Sequence, residues 1–205
     1  IQTDEPNTTH SYDRLIFPES DSEHDDSSAD YIEIQYGTGV KRVKVDSASD
    51  GLIPSKPIVT HEVGQYFVYP YYNEIEKYTG SLKARNLEIF RERLAEKGMS
   101  SLADDMHEAS GMLAYNCYKL EIEAAMRSEY ISGFQLLDLQ DFTGQGTALV
   151  GMLDAFMEEK SFAVKNNIRN KWIGFCSEIV ILAEIDSFVI TVGNTVTVPV
   201  NIRNM

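Results

Sequence analysis

The chain has 205 residues and a formal net charge of −14, from 32 acidic and 18 basic side chains. That length supports one domain, with room for a small second one and a real core. The charge argues against nucleic acid or anionic membrane as partners, since both need clustered Lys and Arg, and no apolar run of about eighteen residues is present to span a bilayer.

Residues 1–30 are rich in Ser, Thr, Asp, Asn and Glu and poor in aliphatics, so they read as an extended, weakly ordered lead-in. Its acidic residues Glu19, Asp21, Glu23, Asp25, Asp26 and Asp30 lack the glycine and terminal glutamate of a calcium loop, which leaves a solvated segment. The chain starts Ile1-Gln2-Thr3-Asp4 without Met or a signal peptide, the expectation for a processed or truncated product. Tyr31–Tyr36 and Val40–Val45 alternate in polarity around Gly37-Thr38-Gly39, a hairpin pattern. After a loop over residues 47–57, Ile58 and Val59 predict a brief strand ending at His61-Glu62, followed by an aromatic loop from Val68 to Tyr72.

Helix is predicted from near Ser81, with Leu82, Ile89, Phe90 and Leu94 on one face and Gly98 ending it. A second helix, Leu102 to Arg127, carries a stripe of Leu102, Met106, Ala109, Leu113, Cys117 and Leu120 that is expected to face the core. A strand over 133–139, a turn at Gly144-Gln145-Gly146 and a helix from Thr147 to Lys160 come next. The turn lacks the Gly-Lys-Ser/Thr of a phosphate loop. The β-branched runs Ile179–Ile185, Phe188–Val192 and Val196–Ile202 predict consecutive antiparallel strands. Cys117 and Cys176 are too few for a disulfide scaffold and lack zinc spacing.

Two segments carry the chemistry: Pro57-Ile58-Val59-Thr60-His61-Glu62-Val63-Gly64-Gln65-Tyr66, and Ser132-Gly133-Phe134-Gln135-Leu136-Leu137-Asp138-Leu139-Gln140-Asp141-Phe142. Each is a short apolar run ending in carboxylates, amides and aromatics, the pattern of a buried parallel strand whose C-terminal end opens into a site. His-Glu-Val-Gly-Gln-Tyr resembles the strand-seven nucleophile motif of glycoside hydrolase family 2, and Gly133 to Gly146 resembles that family's strand-eight segment with two aspartates three apart. Leu136 and Leu137 stand where an aromatic is usual in the family.

The resemblance spans residues 50 to 175. It implies an α/β fold: the last strands and helices of a (β/α)8 barrel, followed by a few antiparallel strands opening a β-sandwich-like module. A whole barrel needs about 250 residues. The expected organisation is an acidic lead-in with a hairpin over 1–46, the barrel part over 47–172 and the sandwich part over 173–205. The implied activity is retaining hydrolysis of β-glycosidic bonds with Glu62 as nucleophile, using two carboxyl groups about 5 to 5.5 Å apart.

His61, Gln65 and Tyr66 would orient Glu62 or bind sugar, and Gln135, Asp138 and Asp141 would contact hydroxyls. Asp141 could equally cap the following turn, Gln135 could be a buried amide, and Glu62 could be a solvated loop glutamate. The family's acid/base lies in an Asn-Glu pair on strand four, and here Asn73-Glu74 falls after the nucleophile segment instead. The chain therefore lacks its acid and would be inactive alone. No metal or organic cofactor is required. The expected partners are a carbohydrate substrate and either the missing N-terminal part of the barrel or a second copy of the chain, in a secreted or periplasmic setting. A noncatalytic carbohydrate-binding module and a structural interaction fragment are the alternatives.

Overall fold

The structure, a computed structural model, describes residues 8–9, 31–36, 39–44, 58–127, 131–183 and 189–204. The acidic run of residues 19–30 and the loop expected over 47–57 lie outside the described residues. In chain order the elements are β1 (Thr8–Thr9), β2 (Tyr31–Tyr36), β3 (Gly39–Lys44), β4 (Ile58–Gly64), a 3-10 turn at Tyr72–Lys77, α1 (Arg85–Glu96), a short 3-10 turn at Ser100–Leu102, α2 (Ala103–Arg127), β5 (Ile131–Leu137), α3 (Ser161–Lys165), α4 (Ile168–Ile173), β6 (Ile179–Ala183) and β7 (Val200–Asn204). This is a mixed helix-and-strand fold with small parallel and antiparallel sheets, and no complete barrel is present among the described residues.

Three strands pair in the order β1-β4-β5. β1 runs parallel to β4, with Thr8 opposite Val59 and Thr9 opposite Thr60. Toward β5, Thr60 Oγ1 donates to the Gly133 carbonyl at 3.5 Å and His61 meets Gln135, so residue numbers rise together along the two strands. β2 and β3 pair antiparallel from Tyr31 opposite Lys44 to Tyr36 opposite Gly39, the arrangement their alternation points to. The described residues fall into two compact units, one drawn from Ile1–His61, Glu121–Gln135 and Gly174–Met205, the other from Glu62–Leu120 and Leu136–Ile173.

Within the second unit, α1 begins at Arg85 rather than Ser81, and Leu82 lies outside it, 79% exposed. Its core face is Leu87 and Leu94, with Leu87 joining Ala84 and Leu149 in an apolar cluster over Ile75 and Tyr78. The end of α1 follows the sequence reading: Gly98 adopts φ 67, its N–H bonds the Ala95 carbonyl and the Met99 N–H reaches back to Leu94. These two hydrogen bonds satisfy carbonyls the helix would otherwise leave open, and they need the left-handed residue that glycine supplies without penalty.

α2 has the expected extent but not the expected face. Leu113 is 63% exposed and Leu102 42%, whereas His107, Gly111, Ala114, Tyr118, Ile122 and Ala125 are buried. The inward face is displaced by about one residue from the aliphatic stripe. Close approach decides this: a Cβ at Gly111 would fall within the Phe162 ring, so the helix turns its small residues toward the core. Buried aromatics fill the remaining depth, with the Tyr118 hydroxyl satisfied by main-chain carbonyls.

The helix expected over 147–160 does not form. Asp154 prevents it by accepting the Phe156 and Glu158 N–H groups on Oδ1, at 2.9 and 3.0 Å, which gives the backbone a turn in place of helical bonds. Met157 follows at φ 65, and Leu153 bridges to both Gln140 and Glu159. Only the short α3 and α4 follow.

In the first unit, the described residues of the C-terminal region hold two paired strands rather than three. β6 and β7 are antiparallel, with Ile181 opposite Ile202, while 189–199 form no strand. Val180 and Leu182 are buried and Ile179, Ile181 and Ile202 are exposed, so one face of the ribbon packs inward. Arg127 Nε donates to the Ala183 carbonyl at 2.9 Å, tying the end of α2 to the end of β6.

Candidate functional site

β4 does not stop at His61-Glu62. It runs on to Gly64, so both residues lie inside the strand. Over the next residues the backbone turns sharply: Glu62, Gly64 and Gln65 have φ of 56, 110 and 64. Left-handed geometry at a non-glycine residue costs about 1 kcal/mol or more, and such costs are tolerated where surrounding structure imposes them, often at functional sites. Glu62 is half-buried and Gln65 exposed. Gln65 Nε2 donates to Glu62 Oε2 at 3.2 Å, which holds the carboxylate against the turn that follows it.

His61 Nδ1 and Gln135 Oε1 lie 2.9 Å apart. An amide oxygen only accepts, so Nδ1 carries the proton. Asp138 follows β5 directly, with a half-buried side chain, a cis peptide joining it to Leu137, and a main-chain carbonyl that accepts from the Tyr118 hydroxyl at 3.3 Å. Tyr66 packs edge-on to Tyr118 with centroids 5.6 Å apart. No protein-family model matches this chain, and no curated protein does. The site therefore rests on its own geometry.

Asp141, the other aspartate of the second segment, is buried in an ion pair: Lys160 Nζ donates to Oδ1 at 2.7 Å, and the same oxygen accepts from the Gly151 N–H at 3.0 Å. Burial pushes the Asp141 carboxyl up and the Lys160 ammonium down, although each holds the other charged. Glu74 is buried nearby, and desolvation first, then the charges of Asp141 and Asp154, push its carboxyl up to about 7. Asp154 stays below the usual range despite burial, because Lys77 donates to it together with two backbone N–H groups. Lys77 also reaches Glu158 Oε2 at 2.6 Å.

His107 completes this group. Its Nδ1 donates to the Tyr69 carbonyl at 2.6 Å, its ring tilts against Tyr71 and meets Phe162 edge-on, and burial keeps its basicity below that of a free imidazole. Glu74, His107, Asp141 and Lys160 line a cavity with room for about one water molecule. A carboxyl raised to about 7 is in the range a general acid uses, but a sugar does not fit this cavity. The cluster thus ties together the loops that carry it, while Glu62 and Asp138 are both half-buried.

Sequence reasoning paired Asn73 with Glu74 but found no sign of the burial of Glu74, and it missed Lys160, His107 and Tyr118 altogether. Only Tyr118 left a trace, as a large residue beside the aliphatic stripe of α2. Among the described residues no group of three or more His, Cys, Asp or Glu side chains is arranged to hold a metal ion, and no helix is long and apolar enough to cross a membrane.

Proposed function

We propose that this chain is part of a retaining β-glycosidase of the glycoside hydrolase family 2 type, with an α/β fold contributing the last strands of a barrel and with Glu62 as nucleophile. The observation that carries this reading is that the two motif-bearing strands, β4 and β5, are neighbours in one sheet and joined by His61 and Gln135. Consecutive strands separated by helices are what the end of a (β/α)8 barrel requires. The left-handed backbone at Glu62 adds support, since such a conformation costs energy and is often retained at functional sites.

In this reading Glu62 attacks the anomeric carbon as the leaving alcohol takes a proton from the acid/base carboxyl expected of the missing part of the barrel. Water then hydrolyses the glycosyl ester. Gln65 holds Glu62, while Tyr66 and Asp138 of the same unit contact the sugar. Asp141 acts from behind, through its ion pair with Lys160. The substrate is a β-linked oligo- or polysaccharide, met outside the cytoplasm.

Incubation with the 2-deoxy-2-fluoro-β-glycosyl fluorides of galactose, glucose, mannose and glucuronic acid tests the assignment, because fluoride leaves without protonation by an acid and the 2-fluoro group then slows hydrolysis of the glycosyl ester. Mass spectrometry should find the adduct on the peptide carrying Glu62 and none in Glu62→Gln. Sugar binding that Glu62→Gln leaves intact, with no adduct and no turnover of nitrophenyl β-glycosides, would replace this reading by a noncatalytic carbohydrate-binding one.

A further inference from the structure

One side chain far from both motifs in sequence touches the backbone of each. Tyr118, in the middle of α2, is fully buried. Its ring occupies the space where a Cβ on Gly64 would stand, so the chain passes Tyr118 two residues after Glu62 with no room to spare. Its hydroxyl donates to the Val150 carbonyl at 2.9 Å and approaches the Asp138 carbonyl at 3.3 Å. Tyr66 packs on it edge-on and Trp172 at a tilt, each with centroids 5.6 Å away.

Gly64 is thus constrained twice, by a φ of 110 that other residues rarely adopt and by the ring against its Cα. The Asp138 segment is constrained once, at its main-chain oxygen. A phenylalanine would supply the ring and leave both carbonyls without the hydroxyl. Packing alone therefore does not account for a tyrosine here. The hydroxyl has a separate task, which is to fix the backbone that follows β5 against the helix that already fixes the turn after Glu62.

We infer that Tyr118 is a positioning residue that sets the Glu62 turn and the Asp138 segment in register with each other, the ring acting on Gly64 and the hydroxyl on the Asp138 and Val150 carbonyls. Tyr118 touches no substrate and acts through these two backbones. Its catalytic consequence rests on the nucleophile reading given above, but the mechanical claim does not. In a site of this kind a displacement of about 1 Å at a reacting group can cost on the order of a hundredfold in rate, so a register held by one hydroxyl matters to chemistry while leaving the sugar contacts in place.

Hydrogen exchange followed by mass spectrometry, on the wild-type chain and on Tyr118→Phe, tests this without needing activity. Loss of the hydroxyl should accelerate exchange about tenfold in the peptides covering 138–141 and 148–151, the scale of one lost buried hydrogen bond. Exchange in α1 should be unchanged. Tyr118→Leu, which also removes the ring, should extend the acceleration to 62–66. Unchanged exchange in the Asp138 peptides of Tyr118→Phe, or acceleration spread equally over the whole chain, would overturn the inference.

The fluoro-glycoside reaction supplies the second readout. In Tyr118→Phe the trapping rate constant at saturating inactivator should fall at least about tenfold, with the half-saturating concentration unchanged. Trapping at the wild-type rate, in protein whose exchange is altered as expected, would refute the catalytic part. Absence of any adduct in the wild-type chain would instead sink the nucleophile assignment, and the exchange result would still decide the mechanical claim.

Discussion

Glu74→Gln should make the protein more stable at neutral pH and leave it little changed in acid. Burial raises the Glu74 carboxyl from 4.5 to about 7 in the folded chain, so the folded state holds a proton that the unfolded state has released. A group raised in this way contributes its stability in full below about pH 4.5 and loses it as pH climbs through about 7. The displacement is worth about 3 kcal/mol. Glutamine keeps the size and the neutral donor and never ionises, so its advantage over wild type should grow from near zero at about pH 4.5 to about 3 kcal/mol at about pH 8.

Asp141, Asp154 and Lys160 face the same carboxyl, with Lys77 and Tyr78 on its own turn. His107 titrates with the opposite sign, because burial lowers it and its neutral form gains as pH rises; it is present in both proteins and drops out of the difference. Urea unfolding followed by the fluorescence of Trp172, the chain's single tryptophan, gives the free energies if the slopes agree. A difference that stays flat with pH, or that shrinks as pH rises, would refute the buried-carboxyl argument.

Breaking the Asp141–Lys160 pair from one side should be costly: Lys160→Met leaves a buried carboxylate uncompensated and should lose about 3 to 5 kcal/mol in the same unfolding assay. Asp141→Asn combined with Lys160→Met should recover much of that loss, and purely additive effects would show that the two side chains do not interact. On α2, Leu113→Lys should change stability by less than about 0.5 kcal/mol, because the leucine is mostly exposed. Ala114→Lys, one residue along and buried, should unfold the helix from its core; equal thermal midpoints for the two variants would contradict the helix face described above.

Much of the secondary structure is written locally. The alternation over Tyr31 to Val45, the 3.6-residue spacing through α2 and the glycine that ends α1 each act within a few residues, and each yields the element observed. The core face of α2 was not legible, because aliphatic character marked Leu113 while contact with Phe162 favoured Gly111 and Ala114. The 147–160 segment misled in the same way: its composition suits a helix, but one aspartate captures two backbone donors and redirects the chain. That 58–64 and 131–137 are strands was legible from their apolar runs with polar ends, whereas their lying side by side in one sheet is written in neither run alone. The buried cluster was not. Lys160 looks like any surface lysine until Asp141, nineteen residues away, is folded against it.

The pairing of β1 with β4 bears on the order in which this chain assembles. Thr8 meets Val59 across about fifty residues, so the contact must repay a closure entropy that grows with the logarithm of that span before it stabilises anything. Helices α1 and α2, built from neighbours in sequence, carry no such burden and can form early. During synthesis the strand bearing Glu62 emerges with its first partner already made, while its second, β5, is still some seventy residues from completion. The turn after Glu62 therefore has to wait for α2 and the strand beyond it before it acquires its final shape.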